Sequence, residues 1–462
     1  MTSFSLRKRL PDWPWALMVA LFILGGGRGP HGPMIGALIQ LGALIALAVV
    51  AAGVLLRGRS IAFPPVLTAL VLATMALFVI QLVPLPPTWW VALPGREPAV
   101  AALRLVDGQV GWRALSLDPW QTWNALYALI PLVAVMVVML YLPRAKWALI
   151  AKAMIAAALV SGVLALAQVV GVREAFLFNA DDLVGSGVFA NPNHQVDLML
   201  AGLMLTGWII SQEVGSIEVP SGVLKLVGRT RPGPLRVHPG WFVMAFFALM
   251  AGLTGSRAAI MLTPPAIALA ISVAVRWERV QRLILFGLLL IIPVMLYLFY
   301  GRGAGIPGLG EEVGLTNELR LRALPDLWAA IQLYAPVGSG LGTFDMVFRQ
   351  AESLALVGPT YLNHAHNDYI EILLETGWIG TALLVAGLGA ILARGIWVSM
   401  RPAAGRTVSL QIVCVNLLVL VGIHSIIDYP LRTYAISTVC GFALAILFRP
   451  SKSETAMSGS ER

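Results

Sequence analysis

The sequence predicts an all-α membrane protein, a polytopic bundle of about twelve transmembrane helices with one large outward loop. Three observations carry this reading. The chain is 58% hydrophobic and only 12% charged, against roughly 25% charged residues in soluble domains. Apolar runs of about 18 or more residues recur along its length. The runs are continuous rather than alternating, so helices and not barrel strands satisfy the backbone in lipid. The whole chain, 1–462, therefore reads as a single integral-membrane domain.

The expected span cores, in order, are 13–27, 34–56, 63–83, 124–142, 147–170, 196–212, 241–253, 258–275, 283–300, 377–398, 408–427 and 433–448. The first has a basic flank without a small-residue cleavage site, and reads as a retained anchor. The first and seventh are short, and the seventh and eighth are joined only by Thr254-Gly255-Ser256-Arg257. Cys414 and Cys440 fall inside apolar runs, which suits buried inert thiols.

Basic residues set the orientation. Arg7-Lys8-Arg9, Arg57/Arg59, Arg144/Lys146, Lys225/Arg229/Arg231/Arg236, Arg276/Arg279/Arg282, Arg394/Arg401/Arg406 and Arg449/Lys452/Arg462 fall on one side of successive spans. Most acids fall on the other. The basic side is the cytoplasmic one, with both termini inside. The net charge of +9 is thus a topology signal and a contact with anionic membrane lipids, not a nucleic-acid footprint.

Three segments face outward. Loop 84–123 carries Trp89, Trp90, Trp112, Trp120 and Trp123, the pattern of an interfacial aromatic belt. Segment 171–195 ends in Gly187-Val188-Phe189-Ala190-Asn191-Pro192-Asn193-His194. The longest, 301–376, is the large outward loop between spans nine and ten. Structureless loops beyond about 15 residues are uncommon unless functional. It opens with Gly301-Arg302-Gly303-Ala304-Gly305, and short helices are expected around 316–333 and 343–356. Between them, Pro336-Val337-Gly338-Ser339-Gly340-Leu341-Gly342 is turn-forming but lacks the Lys-Ser/Thr of a phosphate loop.

The candidate chemistry concentrates at the end of that loop. His364-Ala365-His366-Asn367 places two of six histidines at a membrane boundary. Asn363 caps an expected helix from about residue 364. On it, His366, Ile370, Leu373 and Gly377 share a stripe, and His364 faces Asp368 at i,i+4. His366 is either a general base or a histidine bonded to a loop carbonyl. Zinc needs three or four ligands. No cysteine is near, and Asp368, Glu371 and Glu375 suit a solvated face, so no metal or cofactor is expected. Arg257, Arg320 and Arg322 suit bidentate binding of phosphate oxygens, or snorkelling and pairing with Glu318 or Asp326. Asn193 and His194 form a cavity wall or a plain helix cap. His424 and Asp428, ahead of Tyr429-Pro430-Leu431-Arg432, read as a structural polar cluster.

These residues together resemble the O-antigen ligase and O-antigen polymerase superfamily. The strongest match is His366-Asn367, nine residues, then Gly377-Trp378-Ile379-Gly380. Leu253-Thr254-Gly255-Ser256-Arg257, Gly187 to His194, and Pro336 to Phe344 follow the family's order over about 150–450, while the first 140 residues add only hydropathy. Many members carry a loop arginine four residues before the Trp, where this chain has Leu324.

The resemblance implies a GT-C-like, metal-independent, inverting glycosyltransferase of the bacterial inner membrane, with a periplasmic active site and no cofactor. His366 would be the base. Arg257 with Arg320 or Arg322 would bind diphosphate, with Asn193, His194, His364 and Asn367 around the substrate. The implied donor is a glycan on undecaprenyl diphosphate. The acceptor is lipid A core or a growing glycan, and envelope polysaccharide assembly proteins are possible partners. Ligase and polymerase both fit. A secondary transporter is the alternative of another class, although transporters place substrate near the midplane and few charges lie there.

Overall fold

The computed structural model describes residues 12–27, 33–58, 61–172, 185–213, 238–277, 319–358, 361–400 and 406–449, with Leu283 and Gly287. The helices begin with α1 (Trp13–Gly25), α2 (Pro33–Arg57), α3 (Pro65–Leu82), α4 (Pro87–Val91), α5 (Glu97–Asp107) and α6 (Pro119–Ala128). They continue with α7 (Ile130–Tyr141), α8 (Trp147–Val169), α9 (Pro192–Glu213), α10 (Gly240–Leu253) and α11 (Arg257–Ala274). The last are α12 (Leu319–Arg322), α13 (Leu324–Tyr334), α14 (Phe344–Ala351), α15 (Asp368–Met400), α16 (Arg406–His424) and α17 (Tyr434–Phe448). Among the described residues the only sheet is a short ribbon of β1 (Pro84–Leu85) and β2 (Arg113–Ala114).

Helix occupies every expected span core except 283–300, which apart from Leu283 and Gly287 lies outside the described residues. Gly301–Gly305 and the basic clusters at 7–9, 225–236 and 452–462 also lie outside the described residues. Among the described residues, six stretches are long and apolar enough to cross a membrane: Met34–Leu56, Pro65–Leu82, Pro119–Tyr141, Arg144–Val169, Arg257–Ala274 and Asp368–Met400. Trp13–Gly25, Gly240–Leu253, Ser409–His424 and Tyr434–Phe448 are shorter apolar helices.

The chain gathers into two compact units. The first comprises Met1–Ile61, Pro131–Trp277 and Tyr434–Ala445; the second comprises Ala62–Ile130, Glu278–Thr433 and Ile446–Arg462. In the first unit α9 is the core helix, buried from His194 to Ser211 and packed against α8, α10 and α11. Glycine permits the closest approach: a Cβ at Gly207 would lie 2.4 Å from the Ala270 carbonyl oxygen. The segment leading into α9 is tied to α8. Gln168 Nε2 donates to Gly187 O at 2.9 Å, Gly187 N returns a bond to Gln168 Oε1 at 2.8 Å, and Ser161 Oγ bonds Gln195 Oε1 at 2.7 Å.

In the second unit the segment between α3 and α6 is compact. Pro84 pairs with Ala114 and Leu85 with Arg113 in the antiparallel ribbon. Trp89, Trp112 and Trp120 are exposed, as a belt requires. Trp90 is not: it is buried, and its Nε1 donates to Ala114 O at 2.8 Å because a buried indole must place its N–H. Arg96 is wholly buried and donates to Leu115 O at 2.6 Å. Burial pushes its guanidinium down to about 10, which still leaves it charged at neutral pH.

The outward segment before α15 has its own apolar core. Leu327, Ile331 and Tyr334 of α13 pack with Val347 and the stacked Phe344 and Phe348 rings of α14, 5.4 Å apart. Ala365 and Leu374 join the same cluster and seat the histidine turn on it. The expected helix at 316–333 divides at Ala323, and the one at 343–356 ends at Ala351.

α15 starts at Asp368, not near 364, and is broken at Gly377 (φ 60°, ψ −152°). The break frees the preceding carbonyls, which must find other donors. Leu374 O accepts from Ser339 N at 3.1 Å, and Glu375 O accepts from Gly340 N at 2.8 Å and Gln81 Nε2 at 3.0 Å. Trp378 N turns instead to Pro336 O at 3.0 Å. The glycine-rich turn 336–342 is therefore a socket for a broken helix. A Cβ at Gly377 would lie 2.0 Å from Pro336 O, and its backbone conformation is essentially restricted to glycine. Gly377→Ala is expected to cost about 3 kcal/mol or more, read as a lowered Tm of the purified protein. Gly389→Ala, on the same helix with open space around it, should leave Tm unchanged; equal Tm values for the two variants contradict the socket.

Candidate functional site

The site grows from the turn that starts α15. Asn367 caps the helix, its Oδ1 accepting from Tyr369 N at 2.9 Å and Ile370 N at 3.0 Å. Its Nδ2 donates to Ile426 O at 2.7 Å. Asp368 N donates to Ser425 O at 3.0 Å, and Ser425 Oγ donates to Asp368 Oδ2 at 2.9 Å. Tyr369 Oη donates to Gly422 O at 2.6 Å. The histidine turn is thereby fastened to the segment that follows α16. The expected cap at Asn363 and the stripe through His366, Ile370, Leu373 and Gly377 do not form, because Asn367 takes the first helical N–H groups. His366 lies before the helix, with left-handed backbone (φ 48°).

Three carboxylates line the buried face of the first turns of α15. Asp368, Glu371 and Glu375 are at most 2% exposed, so the expected solvated face is corrected. The physical reason is Arg432, from the short 3-10 turn Pro430–Arg432. Its Nη2 lies 3.2 Å from Glu371 Oε1 and 3.2 Å from Glu375 Oε2, and its Nε lies 3.6 Å from Asp368 Oδ1. Burial opposes the guanidinium charge, but Glu371, Glu375 and Asp368 outweigh it and hold the Arg432 pKa above its ordinary value. His364 Nδ1 donates to Glu371 Oε1 at 2.8 Å. Its partner is Glu371 rather than Asp368.

His366 occupies the rim of this cluster. Its Nδ1 lies 3.4 Å from Oδ1 of Asp428, which is fully buried, while the His366 side chain is 20% exposed. The ring stands edge-on to Tyr429, centroids 4.9 Å apart, and His364 meets the same tyrosine at 4.3 Å. Arg320 Nη1 donates to Ile427 O at 2.7 Å, one residue from Asp428. Arg322 instead donates to Ala355 O at 2.9 Å. The arrangement offers a partly exposed imidazole with a carboxylate behind it and an arginine on the adjoining backbone.

The second unit thus brings together His364, His366, Asn367 and Arg320. Arg257, Asn193 and His194 belong to the first unit. Arg257 opens α11, where Ser256 Oγ accepts from Ala258 N at 3.1 Å as the cap. Asn193 N donates to Asn191 Oδ1 at 2.9 Å, and buried His194 meets Phe189 edge-on at 6.2 Å. Asp428 and Arg432 had read as parts of a structural cluster, and Glu371 as solvated. A signal was available: acids at i, i+3 and i+7 of a membrane-boundary helix need a counter-cation, and Arg432 is the one Lys or Arg between Arg406 and Arg449.

Among the described residues, no group of three or more His, Cys, Asp and Glu is arranged to hold a metal ion. Residues 242–385 match the family model described as O-antigen ligase. The match runs from α10 through the outward segment and the histidine turn into α15, past Gly377. A comparison with curated proteins found no match.

Proposed function

We propose that this member of the O-antigen ligase and polymerase superfamily transfers a glycan from undecaprenyl diphosphate to an acceptor hydroxyl, with His366 as general base. The observation that carries the reading is the contact of His366, which lies within the family match at 242–385, with Asp428 at 3.4 Å. The Asp428 carboxylate, 3.4 Å from Nδ1, favours the tautomer with its proton on Nδ1, in which Nε2 is the nitrogen that takes a proton. The acceptor oxygen attacks the anomeric carbon as its proton moves to Nε2. The bond from that carbon to the diphosphate oxygen breaks, and the lipid diphosphate leaves as an anion. One displacement inverts the anomeric carbon, and no second carboxylate is needed.

Arginines offset the charge growing on the leaving group. Arg320 is the better placed of the loop pair, since it adjoins Asp428 through Ile427. Arg257 is the second candidate. A cation in the first helical turn opposes the helix dipole, whereas an anion bound there is favoured by both the guanidinium and the helix N-terminus. The reaction runs at the periplasmic face of the inner membrane, with both termini cytoplasmic.

Asp428→Asn keeps volume and removes the carboxylate. Transfer by the folded variant is expected to fall by about 100-fold or more; an unchanged rate contradicts the Asp428 role. Exhaustive chelation is expected to leave transfer intact, and a loss restored by one divalent ion contradicts metal independence. Profiling the lipids and polysaccharide of a deletion strain tests the acceptor. Full-length polymer retained on the carrier lipid marks a ligase, the reading favoured here. Single capped repeats mark a polymerase, and an unaltered profile overturns both.

A further inference from the structure

Glu371 has no part in the transfer chemistry above, yet it is fully buried and grips the turn that carries His366. Its Oε1 accepts from His364 Nδ1 at 2.8 Å, and its Oε2 accepts from Ala365 N at 2.9 Å. Arg432 Nη2 stands 3.2 Å from Oε1 and fixes the carboxylate from behind. The two oxygens are thus divided between the two residues that precede His366. A left-handed non-glycine residue persists only where its surroundings over-determine it. After His366 the restraint comes from Asn367 Nδ2 on Ile426 O and Asp368 N on Ser425 O. Before His366 it comes from Glu371.

We infer that Glu371 is a positioning residue for His366, a strut that reaches back from the first turn of α15 and fixes the backbone and ring direction of the base. This rests on the reading of His366 as the base. Length is the essential property of such a strut. Aspartate keeps the charge beside Arg432 but is one methylene too short to serve both residues. Glutamine loses the charge but keeps the reach and an acceptor for Ala365 N. A residue that merely balanced the Arg432 charge would give the opposite ranking.

The test compares wild type, Glu371→Asp, Glu371→Gln and His366→Ala, each purified and reconstituted, with a polyprenyl-diphosphate-linked oligosaccharide as donor. Glu371→Asp is expected to lower kcat by roughly tenfold to 100-fold with little change in KM, and Glu371→Gln to lose clearly less. The reverse ranking, or a loss confined to KM, overturns the strut. A second measurement is independent of turnover: the rate at which diethylpyrocarbonate modifies His366, followed by peptide mass spectrometry in the folded proteins. Glu371→Asp should shift that rate several-fold relative to Glu371→Gln, and identical rates in wild type and both Glu371 variants overturn the inference. If wild type fails to transfer glycan, or His366→Ala still does so, the functional reading fails, while the modification rates still decide the strut.

Discussion

Replacing His366 with alanine is expected to abolish glycan transfer while the protein folds as before. The turn's bonds come from its neighbours: Ala365 N to Glu371, Asn367 Nδ2 to Ile426 and Asp368 N to Ser425. The imidazole itself contributes an edge contact with Tyr429 and a 3.4 Å approach to Asp428. Its loss should cost no more than about 1 kcal/mol of stability. Loss of a general base costs about 10²–10⁴ in rate, enough to empty the surface of product. The check is polymer profiling of cells that carry only the variant, alongside its membrane abundance and Tm. Normal polymer at normal abundance contradicts His366 as the base.

Replacing Arg432 with methionine is expected to have the largest effect on stability. The guanidinium is the cation among Asp368, Glu371 and Glu375, all buried. Methionine keeps an apolar stem of similar length but leaves three carboxylates facing one another in a desolvated site. Breaking a buried pair by removing one partner costs about 3–5 kcal/mol, a large share of an ordinary domain's 5–15 kcal/mol. The variant should lose its folded form during extraction, or melt far below wild type. Arg432→Lys should fall between them, since an ammonium keeps the charge but lacks the planar fork. A Tm for Arg432→Met equal to that of wild type contradicts this account of the cluster.

Much of the fold was legible because membrane helices announce themselves by length and apolarity. Spans such as 34–56, 63–83 and 147–170 needed no tertiary information. The histidine turn was legible as a place but not as a geometry. Periodicity extended a helix back to 364, whereas Asn367 competed successfully for the helical N–H groups and left His366 in a turn. The acids of α15 were misjudged for a similar reason. Whether a carboxylate is solvated depends on a partner 57–64 positions away, and only folding brings Arg432 to them. Asp428 was hidden in the same way, since nothing local distinguishes it from a surface acid. Gly377 could be marked in the sequence, but its backbone break and the socket at 336–342 appear only when both segments are in place.

The most direct test of glycan transfer uses purified protein in vesicles containing an undecaprenyl-diphosphate-linked oligosaccharide and an acceptor lipid. The account predicts that donor disappears as glycosylated acceptor and undecaprenyl diphosphate appear in equal amounts, with inverted anomeric configuration, and that His366→Ala does none of this. Movement of a solute across the vesicle wall with the donor left intact would contradict it.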